Sequence, residues 1–339
     1  MRRLSNCLQR KNQGSSLLWL GGGILTVLVL FLSLAIGAGT VPTTDLLRAL
    51  FSPGTDSHAA NILYLVRLPR MLACVLCGGS LAVSGLLIQT VLHTPLASPG
   101  IIGVNAGSGF AVVLVSFLFP AALIPRIMAA FCGALAAVLL VYGLARKTSA
   151  SKLTIVLAGV AVSSLLSAFS DTLITIHPAA VMDKAAFSMG GFSGIGLPQV
   201  LPTTPIILCS VVAAMLMARQ LEILTMGDEV AASLGVQVGA IRFWTLFFSA
   251  LLAACAVSVG GLIGFVGLIA PHIARLLFRA SFPKLIGFSF WLGSLLMLVC
   301  DLVARTLFRP FEVPTGIVLA FVGTPFFLFL LLTKRRERV

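Results

Sequence analysis

Hydrophobic residues run along this chain in long blocks, with polar residues gathered between the blocks rather than alternating within them. Ten nearly uncharged stretches stand out, at approximately 17–37, 67–91, 100–119, 122–145, 153–175, 199–218, 242–259, 262–279, 285–304 and 313–332. Each is close to the roughly 20 apolar residues that carry a helix across a bilayer. The pattern predicts an all-α polytopic membrane protein of about ten transmembrane helices. It reads as a tail at 1–16, one transmembrane domain at 17–333 and a second tail at 334–339. The longest polar connections are 38–66, 176–198 and 219–241.

Composition agrees. Of 339 residues, 59% are hydrophobic and 10% charged, with mean hydropathy +1.10; a soluble domain carries about 25% charged residues. The net charge of +13 invites a nucleic-acid reading, but the distribution of the charges argues against it. With the N-terminus inside, 16 of the 23 basic residues fall on one side of the expected topology. The other side keeps Arg48, Arg67, Arg70, Arg126, Lys184, Arg305 and Arg309. That asymmetry is the positive-inside signal, which places both termini in the cytoplasm and makes the span count even. Arg2 and Arg3 ahead of an apolar run resemble a secretory signal. The run 17–37 exceeds the roughly 7–15 residues of such a core, so it reads as a retained first span. Cys74 and Cys77 form a C-x-x-C inside an apolar span with no second pair near it, and read as small buried filler.

Closely spaced small residues (Gly78, Gly79 and Gly85; Gly103 and Gly107; Gly260 and Gly264) predict helices that approach closely. A weak internal echo accompanies them. Gly85 precedes Pro95 by the same offset that separates Gly261 from Pro271, in spans expected to run in opposite directions, as an inverted repeat requires.

Constellations for bond chemistry are missing from the sequence: there is no Walker A pattern and no H-E-x-x-H, and no metal site is expected. Asp171 and Asp301 are the acidic residues placed within expected spans, where an ion-coupled transporter would need them. Asp301 has Arg305 four residues on, on the same helical face, and a structural ion pair is expected. Asp171 has no evident partner in sequence. Residues 227–236 read as a short helix and turn, with Asp228 and Glu229 at the positive end of the helix dipole and Gly235 at the C-terminal cap. Its apolar side, Val230, Leu234 and Val236, suits either a bilayer surface or a soluble partner. Arg67, Arg70 and Arg305 at span ends suit either interfacial snorkelling or a guanidinium cluster that receives carboxylates.

Several ordered stretches then resemble a known family: RLPRMLACVLCGGSLAVSGLLIQ (67–89), PLASPGIIGVNAGSG (95–109), GDEVAASLGV (227–236), GGLIGFVGLIAPHIARLL (260–277), DLVAR (301–305) and EVPTGIVLAFVGTPFFLFLL (312–331). They resemble the permease subunits of type II ABC importers for iron-siderophore, haem and cobalamin uptake, over about residues 38–333. The resemblance implies a dimer of permease subunits, homo- or heterodimeric, in the cytoplasmic (inner) membrane of a bacterium or archaeon. It implies two separate ATPase subunits that use ATP and magnesium, an extracytoplasmic binding protein, and no cofactor on this chain. It also implies that Arg67, Arg70 and Arg305 dock the binding protein. Coupling helices would lie at about 225–239, with Asp228, Glu229 and Gly235 engaging the ATPase. A cytoplasmic gate would form at Thr94, Pro95 and Leu96, with a companion near Ser149, Ala150 and Ser151. Where the family usually reads Asn-Pro-Leu-Ala, this chain reads Thr94-Pro95-Leu96-Ala97. The expected function is alternating-access import driven by the partner ATPase, with no enzymatic activity on this chain. The alternative is an ion-coupled secondary transporter that uses Asp171 or Asp301.

Overall fold

The computed structural model describes residues 21–36, 58–119, 123–147, 152–178, 180–278, 280–308 and 311–336. The tail at 1–16, most of 38–66 and the gate residues Ser149, Ala150 and Ser151 lie outside them. The described residues form helices and connecting turns: α1 Gly21–Ala35, α2 His58–Leu92, α3 Val104–Leu118, α4 Leu123–Lys147, α5 Lys152–Ile176, α6 Ala180–Met189, α7 Thr203–Leu216, α8 Ala218–Leu224, α9 Asp228–Ser233, α10 Val238–Gly260, α11 Val266–Leu277, α12 Phe282–Thr306 and α13 Thr315–Arg336. Six helical runs are long and apolar enough to cross a bilayer, and the shorter apolar α1, α3, α11 and the apolar part of α13 accompany them. The protein is a multi-pass, membrane-embedded helical bundle.

Helix α2 is the axis of the bundle, packed against α12 on one side and α10 and α11 on others. Among the described residues it extends back to His58, nine residues before the expected span at 67. The charge of Arg67 marks the edge of the apolar stretch but not a helix end. Pro69 explains the local geometry: it has no N–H to give Leu65 and its ring crowds that carbonyl. The chain opens into a π turn at Leu63–Arg67, where the Leu68 N–H reaches back to the Leu63 carbonyl.

Small residues let the axes approach. A β-carbon on Gly78 would meet the Gly293 carbonyl of α12, and one on Gly293 would meet the Gly78 carbonyl; Gly107 of α3 and Gly133 of α4 face each other in the same way. The partners Gly293 and Gly133 had no motif of their own, because the contact is between helices and not along one. Gly260 and Gly264, read as a close-packing pair, lie at the end of α10 and in the turn beyond it. Span 8, expected at 262–279, is that turn followed by a helix of 12 residues.

The internal echo does not correspond to equivalent structure. Gly85 lies mid-helix whereas Gly261 follows a helix end at φ 71°, and Pro95 sits in a turn whereas Pro271 sits inside α11. The C-terminal tail expected from 334 is helical through Arg336.

Gly293→Val is expected to lower stability by about 1–3 kcal/mol, the usual cost of overpacking. Gly287→Val, on the same helix where a β-carbon meets nothing within 4 Å, is expected to unfold like the parent. Thermal unfolding of the purified protein in detergent compares the two.

Candidate functional site

Two polar clusters stand at opposite ends of α2. At the first, Asp301 of α12 is fully buried, and Arg70, Arg305 and Thr315 converge on it. Arg70 donates from Nη2 at 3.0 Å and from Nε at 3.1 Å to Asp301 Oδ1, while its Nη1 donates at 2.7 Å to Glu312 Oε2. The Arg305 Nε lies 3.1 Å from Asp301 Oδ2, so the expected i, i+4 pair is present. Thr315 Oγ1 donates to Asp301 Oδ1 at 3.1 Å. A buried carboxylate without such partners is too costly to keep charged in a low-dielectric interior.

The remaining donors of this cluster cap α1. A helix ends with carbonyls that have no partner of their own and with a partial negative charge. Arg67 Nη1 donates to the Leu34 and Ala35 carbonyls. Arg305 Nη1 donates to those of Ser33 and Ile36 at 3.3 and 3.2 Å, and its Nη2 to Ser33 Oγ at 2.8 Å.

The cluster therefore differs from an open, outward-facing set of guanidinium groups. Arg67, Arg70 and Arg305 are only 4%, 6% and 3% exposed. Within the bundle each has found an internal acceptor, because bulk water is not there to solvate it. The more exposed member is Glu312, whose side chain is 25% exposed and lines a cavity of about 310 Å³ with Arg70 and the Gly190–Ser193 turn.

At the other end, the turn after α2 meets the α8–α9 unit. Thr94 Oγ1 accepts the Leu96 N–H at 3.3 Å, and the Thr94 carbonyl accepts the Ala97 N–H at 3.3 Å. A side-chain oxygen bonded two residues on is the turn that asparagine also makes, so threonine keeps that local geometry. Pro271 of α11 has no N–H for the Gly267 carbonyl, and Gln89 Nε2 of α2 supplies one at 2.9 Å. Arg275 Nη1 in turn donates to Gln89 Oε1 at 2.8 Å.

Helix α9 closes with a Schellman motif: the Val236 N–H bonds the Ala231 carbonyl and the Gly235 N–H bonds that of Ala232, both at 3.0 Å, with Gly235 at φ 81°. Asp228 Oδ2 accepts from Arg242 Nη2 of α10 at 2.9 Å, which ties the short helix to the bundle. Glu229, Val230 and Leu234 are exposed, whereas Val236 packs into the core beside Ala231. The apolar outer side is thus Val230 and Leu234, with Met226 before them.

The acidic residue without an evident sequence partner has one here: Lys184 of α6 donates to Asp171 Oδ1 at 2.7 Å, in an exposed pair. Cys74 and Cys77 are buried and not disulfide-bonded. Among the described residues, no group of three His, Cys, Asp or Glu side chains is placed to hold a metal ion. Sequence reading missed Glu312, Gln89, Arg275, Arg242 and His93. Only Pro271, read for the acceptor it strands, signalled one of them.

Residues 25–333 match the FecCD transport family. The chain belongs to the FecCD transport family. It is 34% identical over 322 residues to the Fe(3+)-citrate import system permease protein YfmD of Bacillus subtilis, which covers 95% of this chain and 96% of that protein. It is also 34% identical to the hemin transport system permease protein HmuU of Yersinia pestis, over 92% and 96% of the two chains. A solved structure described as an inward-facing conformation of a metal-chelate type ABC transporter superposes with TM-score 0.82 at 30% identity, covering 93% of this chain and 98% of the other. For a FecCD member, the two clusters stand at opposite ends of the same buried axis.

Asp301→Asn is expected to destabilise this FecCD protein by about 3–5 kcal/mol, because it leaves two buried guanidinium groups short of a counter-charge. Glu312→Gln, on a partly solvated pair, is expected to cost about 1 kcal/mol or less. Thermal unfolding of the two variants side by side measures the difference. Gly235→Val forces a branched residue into the left-handed region at about 1–2 kcal/mol, and faster amide exchange is expected at 228–236 with the remaining helices unchanged.

Proposed function

We propose that this chain is the permease subunit of an ATP-driven importer that carries a ferric chelate, as an iron(III)-siderophore, ferric citrate or haem, into the cytoplasm. The observation that carries the reading is the near full-length match to permeases named for ferric citrate and for hemin import, together with the fold shared with a metal-chelate ABC transporter. Both termini are cytoplasmic, as the basic residues favour, so the α8–α9 end faces the cytoplasm. Two permease subunits enclose the pathway.

An ATPase subunit engages α9 through Glu229 and the exposed Val230 and Leu234, while the Asp228–Arg242 pair and the Gly235 turn hold that helix in place. At the outer end, carboxylates of an extracytoplasmic binding protein dock near Arg67, Arg70 and Arg305. They meet Glu312 first and reach the arginines by exchange with it. ATP binding moves α9 and switches the turn at Thr94, Pro95 and Leu96, with Ser149, Ala150 and Ser151 as its companion. A ligand-driven change of access needs only that ATP favour one of two conformations.

The ion-coupled alternative is disfavoured by the surroundings of its two carboxylates. Asp301 is locked between two guanidinium groups, and Asp171 is exposed beside Lys184. The deciding experiment purifies the chain from its native membrane with its partners and reconstitutes it in vesicles. Uptake of radiolabelled iron as ferric citrate or a ferric siderophore, or uptake of haem, is expected to require internal MgATP and to survive a protonophore. Uptake that proceeds without ATP and collapses with the proton gradient would replace this reading with the ion-coupled one.

A further inference from the structure

Two helices near the α8–α9 end close with a left-handed residue and the same six-to-one backbone bond, and different residues take the left-handed position. After α9 that position is Gly235, at φ 81°. After α2 it is His93, at φ 54° and ψ 31°, with the Thr94 N–H bonded back to the Gln89 carbonyl at 3.2 Å. Glycine is the usual occupant, because a β-carbon is crowded there. His93 is one of two non-glycine residues at positive φ among the described residues. Such outliers persist where surrounding structure holds them.

What holds His93 is visible on its ring. Nε2 lies 2.8 Å from the carbonyl of Leu224, the last residue of α8. Leu224 is itself fully buried, and its carbonyl also accepts the Gly227 N–H that starts the turn into α9. One imidazole therefore joins two segments 131 residues apart in sequence. On one side is the residue just before the Thr94–Ala97 turn; on the other is the hinge between α8 and α9. The contact borders a cavity of about 430 Å³, lined also by Gln89, Thr90, Glu222, Thr225 and Arg275, which leaves both segments room to move.

We propose that His93 is a positioning residue that transmits displacement of α8–α9 to the turn at 94–97, through the hydrogen bond from its Nε2–H to the Leu224 carbonyl. The inference rests on the ATP-driven reading above. Gln89 and Arg275 fasten the neighbouring turn of α2 to α11 instead, so the two tethers have separate tasks. The Gln89 tether holds the end of α2 to the bundle, and the His93 tether lets the turn beyond it follow the ATPase-facing unit.

The special position of His93 gives a sharp test. Glycine fits the left-handed backbone better than histidine, so His93→Gly keeps or improves the helix end while it removes the tether. His93→Gln restores a side-chain N–H donor. The assembled transporter with its ATPase is compared in the parent, His93→Gly and His93→Gln forms, by hydrogen–deuterium exchange with and without MgATP and by ATP hydrolysis rate. In the parent, MgATP is expected to change exchange both at 226–236 and at 94–102. In His93→Gly the change at 226–236 and the hydrolysis rate are expected to persist, while the change at 94–102 falls by about tenfold, within the usual range of coupling between sites. His93→Gln is expected to recover it.

A full ATP response at 94–102 in His93→Gly would overturn the proposal, since His93 would then be a helix cap and nothing more. So would a parent in which 226–236 responds and 94–102 does not. A parent in which MgATP changes nothing at 226–236 would sink the ATP-driven reading itself and this inference with it, and that failure is told apart because it shows in the unsubstituted protein.

Discussion

Asp301 sets a constraint that much of its end of the bundle satisfies. A carboxylate with no exposed surface inside a membrane-embedded bundle stays charged only if opposite charge and hydrogen-bond donors surround it. Arg70 comes from α2, Arg305 from the next turn of α12, and Thr315 from the start of α13. Each guanidinium then has donors left over. Those of Arg305 go to the end of α1, and that of Arg70 to Glu312. One buried negative charge thus registers four helices against one another, in a place where apolar packing alone would let them slide in lipid.

The same requirement explains Pro69 and Pro271. Each removes a donor and strands a carbonyl in a region where water is scarce. Before Pro69 the helix widens into a π turn, and the turn carries Arg67 to the carbonyls at the end of α1. Before Pro271 the stranded Gly267 carbonyl takes its hydrogen from Gln89 on α2. In both cases a local defect becomes a tertiary contact. A close glycine contact between α2 and α11, Gly85 against Gly267, brings those backbones near enough for Gln89 to reach.

The bundle is consequently firm along the α2–α10–α12 axis and more loosely tied at the α8–α9 end. Helix α9 has 6 residues, and the Asp228–Arg242 ion pair, the Gly235 turn and the burial of its own Ala231 in the core hold it in place. Its outer surface combines a carboxylate with exposed apolar side chains, a composition suited to a protein partner. Short units with few buried contacts sit at the low-stability end of a structure, from which moving parts are drawn. The His93 contact links that unit to the end of the central helix α2.

What the sequence determined by itself was everything that depends on solvent preference and local geometry. Long apolar blocks specify membrane helices because a bilayer core tolerates little else, and the run of motifs from 67 to 331 specified the family. The i, i+4 spacing of Asp301 and Arg305 foretold their pair, and Gly235 its turn, since both are contacts within one or two turns of chain. Tertiary structure decided that α2 runs on through position 67, because a charge there ends an apolar stretch but not a helix whose guanidinium finds carbonyls inside the protein. It decided that the arginines are buried, that Lys184 answers Asp171 and that Glu312 answers Arg70. It also decided which glycines face each other and that His93 reaches Leu224. Each of these joins residues on different elements, and such contacts are set by how helices cross and not by any periodicity along the chain.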